Sequence, residues 1–195
     1  MAESVVAICN RALDYLGQSP ITSLEDGSTA ARIMSRQYAT SRDVVLRSYP
    51  WNCAMARASL AALVEAPAWG FLKQYQLPVD CLRVVEIDGD VDSRIQWRVE
   101  GRRLLCDEAG PLNIRYLRQI ADPTEIDAMC GDAIAARLAA DTARSITGST
   151  SDVEMMMARL RMIMDEARAT DGREQSQDDG IVADDWLAAR YSWRG

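Results

Sequence analysis

A chain of 195 residues, 48% of them hydrophobic, is long enough to bury a substantial core and reads as one domain with at most a small insertion. Its 22 basic and 29 acidic residues leave a net charge of -7, which argues against a general nucleic-acid binder, because phosphate contacts need a basic face. No apolar run approaches the roughly eighteen residues of a membrane helix, and Met1–Ser4 carries no basic and apolar leader pattern, so no secretory signal is expected.

Val5, Cys9, Ala12 and Leu16, with Ile8 and Leu13 beside them, recur at steps of three and four and predict a helix from about Ser4 to Leu16. Ser4 is its cap, Gly17 sits where a left-handed residue closes a helix, and Pro20 follows. A polar connection leads to a longer second helix, Ser28–Tyr49. Ala31, Met34, Tyr38, Val45 and Tyr49 line one side of it, and Arg32, Arg36 and Arg47 fall mainly on the others. Pro50 ends this helix, because it lacks an N–H and drives Tyr49 out of the helical region. Trp51 is then expected to pack across the helix end.

Between Ala58 and Leu117 the pattern turns strand-like. Phe71–Leu77 is closed by Pro78, and Cys81–Ile87 is rich in Val, Leu and Ile. In Arg94–Val99 the apolar Ile95, Trp97 and Val99 alternate with polar residues, as in a half-exposed strand. Glu100-Gly101 signals a hairpin into Arg102–Cys106, and Leu112, Ile114 and Tyr116 alternate in Leu112–Leu117. One small antiparallel sheet of four or five strands is expected here.

Helical spacing then returns. Asp122-Pro123-Thr124-Glu125 reads as a capping box opening a third helix over Ile126–Ile146, with Cys130, Ile134 and Leu138 on an alanine-rich body and Gly148 at its end. Ser151-Asp152-Val153-Glu154 reads as a second box. It opens a helix with Val153, Met156 or Met157, Leu160, Met164 and Ala167 inward, closed by Gly172. So short a connection predicts antiparallel neighbours. The stretch Asp171–Asp184 is acidic and nearly devoid of apolar residues, a solvated linker by composition. Beyond it Trp186, Leu187, Arg190, Tyr191 and Trp193 cluster, residue types enriched where partners dock. Folding back onto the body is the other reading. The expected fold is α+β and mainly α, with residues 1–57 and 118–170 forming an antiparallel bundle of about four helices. A β-subdomain spans 58–117, and an extended C-terminal tail spans 171–195.

Several chemistries are absent. The chain has no histidine, which removes histidine-based nucleophile arrangements and the common zinc sites, and it has no glycine-rich phosphate loop. Cys9, Cys53, Cys81, Cys106 and Cys130 are odd in number and widely spaced, and read as small buried hydrophobes of a reducing compartment. Asp88, Asp90 and Asp92 have the alternate spacing of a calcium loop. However, Ser93 stands at the turn position that needs glycine and Val99 at the position that needs glutamate, so a polar hairpin explains the stretch better. No residue is assigned a catalytic, cofactor-binding or metal-binding role. Lys73 is the sole lysine. Arginine in its place suits interfaces, and it also follows from GC-rich coding.

The order of motifs resembles the head-to-tail adaptor family of tailed bacteriophages, in particular the tail tubular protein A group of short-tailed phages. The carrying residues are Cys9-Asn10-Arg11-Ala12-Leu13 with Leu16-Gly17, then Arg42–Arg47 running into Tyr49–Ala54. Tyr75–Val84, Val99–Arg102, Ile114–Tyr116 and Ala135–Ala139 continue the match, which covers about Val5 to Met164. The resemblance implies a virion structural protein, assembled in the bacterial cytoplasm into a homo-oligomeric ring, commonly of twelve copies. It would sit at the portal vertex, bind the portal protein and a tail nozzle or tube protein, and extend the channel through which DNA passes without sequence-specific contact. It implies no enzyme, cofactor or membrane. On that analogy Trp186, Leu187, Arg190, Tyr191 and Trp193 become a portal anchor. Arg32, Arg36, Arg42 and Arg47 become subunit-interface residues, and Asp88, Gly89, Asp90, Asp92 and Arg94 a loop facing the distal tail. Two other classes remain open at this point: a carboxylate-dependent hydrolase of cell-envelope polysaccharide, and a small regulatory module binding through its tail.

Overall fold

The computed structural model describes residues 3–87 and 95–178, with side chains as far as residue 170. Among them are four α-helices and six strands, the strands lying between the second and third helices in chain order, an α+β arrangement. α1 (Val5–Tyr15) starts where the Ser4 hydroxyl accepts the Ala7 N–H at 3.1 Å. It ends at Leu16, with Gly17 at φ 65 supplying the left-handed closure. Its stripe of Ile8, Cys9, Ala12 and Leu13 is fully buried.

α2 (Thr29–Ser48) is capped by Ser28, whose hydroxyl accepts the Ala31 N–H at 3.1 Å. It presents Ala31, Met34, Tyr38, Val45 and Leu46 to the core. Tyr49, at φ -140 and ψ 145, leaves the helix immediately before Pro50. Trp51 folds back over the helix end as expected. Its indole N–H donates to the Val45 carbonyl at 3.1 Å, and its ring meets that of Tyr49 edge-on at 5.0 Å between centroids.

A short 3₁₀ turn, Asn52–Ala54, leads into the strands. β1 (Met55–Leu60), β6 (Leu112–Arg118) and β3 (Cys81–Ile87) form one antiparallel sheet in the order β1-β6-β3. β2 (Lys73–Gln76), β5 (Arg103–Cys106) and β4 (Trp97–Glu100) form a second, ordered β2-β5-β4. The expected single sheet is therefore two. Alternation along a strand reports which face is buried but not which strand lies beside it. β1 also begins inside the stretch assigned to the helical body, because Met-Ala-Arg-Ala-Ser-Leu carries little strand propensity and is held by pairing with β6. Gly101, at φ 58, closes the β4–β5 hairpin.

The described residues form two cores. Leu60, Tyr75, Ile87, Leu104, Ile114 and Tyr116 fill the one within the strands. The helical core includes Trp51 and also Leu117 of β6, so this central strand packs Leu112, Ile114 and Tyr116 on one side and Leu117 on the other.

The third helix starts later than its box implied. Asp122 does accept the Thr124 N–H, at 2.9 Å, but only a 3₁₀ turn, Pro123–Glu125, follows, and Ile126 is extended. Asp127 is the true cap of α3 (Ala128–Thr147), accepting the Cys130 N–H at 2.8 Å. Buried alanines at 133, 135, 136, 139 and 143 let α1, α2 and α4 pack around this helix. At Gly131 a Cβ would lie 3.0 Å from Glu3 Oε1, because the Glu3–Arg11 ion pair rests against that turn. α4 (Thr150–Asp178) is opened by Ser149, not Ser151, its hydroxyl accepting the Asp152 N–H at 3.2 Å. The helix also passes through Gly172, where an end was expected, since a glycine costs an exposed helix only about 1 kcal/mol. Residues 171–178, expected as linker, thus continue the helix. Met156, Ile163 and Ala167 are its buried positions. α4 runs antiparallel to α3, with Thr147 bonded to Asp152 near the connection and Asp132 paired with Arg159 farther along. Among the described residues, no helix is long and apolar enough to cross a membrane.

Candidate interaction surfaces

The four α2 arginines separate into two kinds. Arg32 and Arg36 are exposed, and neither forms an ion pair among the described residues; Arg32 reaches only the Thr29 hydroxyl, at 3.4 Å. Arg42 and Arg47 are used inside the chain. Arg42 pairs with Asp43 at 2.8 Å and lies over the Tyr38 ring, 5.8 Å from its centroid. Arg47 donates to the Leu82 carbonyl and so ties the end of α2 to β3. Tyr38 beside Arg42 is buried, and that burial pushes its phenol up to about 12 against the opposing pull of the guanidinium.

A second polar cluster braces the bundle at its surface. Tyr15 donates to Asp132 and accepts from Arg159 at 3.1 Å, while the Arg159 guanidinium stacks over the Tyr15 ring at 4.0 Å. One residue from each of α1, α3 and α4 meets here. Partial burial and the Asp132 carboxylate both raise the Tyr15 phenol.

The strand region presents surfaces of another character. Val64, Trp69, Leu72 and Val79 are exposed, Trp69 at 83% and Val79 at 94%. The loop that carries the first three is nonetheless fixed. Buried Gln74 donates to the Glu65 carbonyl at 2.6 Å, and the Leu72 N–H donates to Asp107 at 2.8 Å. An anchored loop with unpaired apolar side chains has the character of a contact surface. Nearby, a cleft of about 320 Å³ is lined by Trp69, Phe71, Arg98 and Arg103. On the β1-β6-β3 sheet a cleft of about 360 Å³ is lined by Arg57, Ser59, Glu86, Asn113 and Arg115. Arg115 pairs with Glu86 at 2.9 Å, and its Nε is buried with no hydrogen-bond partner among the described residues. Two further clefts border Arg47 and Trp97, and Val44 and Leu160. Among the described residues, each of the four is lined by at most one carboxylate.

One constellation was invisible in the sequence. Cys53, from the 3₁₀ turn after α2, meets Cys130 and Asp127 at the start of α3, with the two sulfurs and a carboxylate oxygen all within 4.8 Å of one another. Cys130 is fully buried, Cys53 half-buried and Asp127 exposed. The Cys53 thiol is lowered, chiefly by its hydrogen bond with Cys130 and further by the backbone N–H of Asp127. The Cys130 thiol is raised by the same bond and by burial. The other three cysteines are buried apart from this group, and the burial of Cys9 pushes its thiol up to about 12.

Asp88, Gly89, Asp90, Asp92 and Arg94, the expected distal loop, lie outside the described residues, as do Trp186, Leu187, Arg190, Tyr191 and Trp193 of the expected anchor. Comparison with known proteins finds no family model and no curated protein that matches the chain.

Proposed function

We propose that the chain is a non-enzymatic structural adaptor of a tailed bacteriophage. It forms a homo-oligomeric ring, of twelve copies by the sequence resemblance, between the portal protein and a tail nozzle or tube protein. One observation carries the reading. The chain offers two unpartnered faces of different chemistry on different parts of the fold: exposed Arg32 and Arg36 on α2, and the anchored apolar loop with Val64, Trp69 and Leu72 beside the strands. A ring subunit needs such separate faces, one toward the next copy and one toward an axial partner, and it needs no catalytic cleft. The net charge of -7 also suits a channel component past which DNA must move without sticking. The test is native mass spectrometry and negative-stain microscopy of the chain mixed with its portal. Closed rings on the portal are expected. Arg32→Glu with Arg36→Glu should abolish ring closure while leaving the far-ultraviolet circular dichroism unchanged. A chain that stays monomeric beside its portal, or charge reversals that assemble normally, would refute the assignment.

A further inference from the structure

We propose that Cys53, Cys130 and Asp127 form a metal site for a soft-to-borderline divalent cation of the zinc type, with three protein ligands and one open position. The site would pin the exit of the strand region from α2 to its re-entry at α3. It holds two sulfurs and one carboxylate within 4.8 Å of one another. Tetrahedral zinc bonded at about 2.3 Å to sulfur and 2.1 Å to oxygen needs ligand atoms about 3.6–3.8 Å apart. A contraction of at most about 1 Å is therefore enough, within reach of small side-chain rotations. Two thiolates select against calcium and magnesium, and the carboxylate makes zinc a better fit than copper(I).

Electrostatics and solvent access agree with this assignment. Binding would displace the thiol protons of Cys53 and Cys130 to solvent. The metal with three anionic ligands then carries one net negative charge at the N-terminus of α3, the end of a helix that favours anions. One Asp127 oxygen already accepts the Cys130 N–H at 2.8 Å, which orients the carboxylate and leaves its second oxygen for the metal. Because Asp127 is exposed, water can complete the fourth position. The 76 residues between Cys53 and Cys130 contain all six strands, β1 to β6, so a bond here fixes both ends of the insertion at once.

The experiment uses the full chain, stripped with a chelator and kept reduced by a phosphine. Cobalt(II) titration should give a thiolate-to-metal charge-transfer band and intense tetrahedral d–d bands saturating at one ion per chain. Zinc(II) should displace the cobalt and raise the thermal midpoint. Cys53→Ser should lose the charge-transfer intensity of one thiolate and most of the zinc-induced shift. Asp127→Asn keeps the helix cap and should weaken zinc at least tenfold. A Cys53 that zinc leaves equally open to iodoacetamide would overturn the site, and so would a cobalt spectrum without thiolate bands. A chain whose mass shows a Cys53–Cys130 disulfide and no metal uptake after reduction would assign the pair to disulfide chemistry instead. None of these readouts involves ring assembly, so the site stands or falls independently of the adaptor assignment.

Discussion

Replacing Trp51 by alanine isolates the feature on which the turn from helix to strand depends. The side chain is only 3% exposed, belongs to the helical core, bonds the Val45 carbonyl and meets Tyr49 edge-on. Large-to-small changes of buried tryptophan cost about 3–5 kcal/mol. Within that, the edge-to-face pair accounts for about 1 kcal/mol and the hydrogen bond for about 1 kcal/mol. For a chain of this size each kcal/mol lowers the thermal midpoint by about 2–4 °C, so Trp51→Ala should lower it by roughly 6–20 °C. Trp51→Phe is the control. It keeps most of the buried ring, and the Val45 carbonyl it abandons still accepts the Ser48 hydroxyl at 2.8 Å. No buried acceptor is orphaned, and the expected loss is about 1–2 kcal/mol. Urea unfolding followed by circular dichroism measures both. An alanine variant within about 1 kcal/mol of the parent would mean that Trp51 does not seal the end of α2, and the account of this junction would be wrong.

The other expectations are narrower. Ser28→Ala removes the cap of α2 and should cost about 1 kcal/mol in the same urea assay, with Ser28→Asp recovering it; equal loss in both would exclude capping as the cause. Tyr38 titrates near 10 when unfolded and is raised to about 12 in the fold, so its contribution is full below about pH 10 and is lost as pH rises toward about 12. Two units correspond to about 2–3 kcal/mol, and Tyr38→Phe should flatten the alkaline fall in stability by that order. Cys9, raised by burial, supplies a separate alkaline share, so the slope should shrink without vanishing. Superimposable pH profiles for parent and variant would remove Tyr38 from the explanation.

Helices with unambiguous ends were legible in the sequence. Ser4, Gly17, Ser28 and Pro50 each act through a local backbone requirement, and α1 and α2 begin and end where those residues place them. Where two local signals compete, sequence does not rank them. Asp122 and Asp127 are both capping residues, and only the extended Ile126 between them decides that α3 starts at the second. Gly172 reads as a stop, yet a penalty of about 1 kcal/mol is too small to end a helix by itself, and α4 runs on to Asp178. Long-range relations were the least legible. Nothing in the alternation of β6 says that it pairs with both β1 and β3, and nothing in the spacing of Cys53 and Cys130 says that they meet. The exposure of Trp69 was equally hidden, because an aromatic residue beside a glycine is as often core as surface.

Two of the α2 arginines make polar contacts inside their own chain. Arg47 reaches the Leu82 carbonyl of β3, and Asp43, held by Arg42, accepts the Gln119 amide at 2.6 Å just beyond β6. These contacts join the last turns of α2 to the two strands nearest the helical body, where Leu117 also enters the helical core. Cys53 meets Asp127 and Cys130 in the short turn that follows. Covalent continuity at Pro50 and Ile126 would by itself leave the strand region free to swing. Polar bonds on one side and Leu117 in the core instead hold it at several separated points. Charge at the end of α2 is therefore consumed in fixing the orientation of the strands. Among the described residues, Arg32 and Arg36 in the first half of the helix form no ion pair.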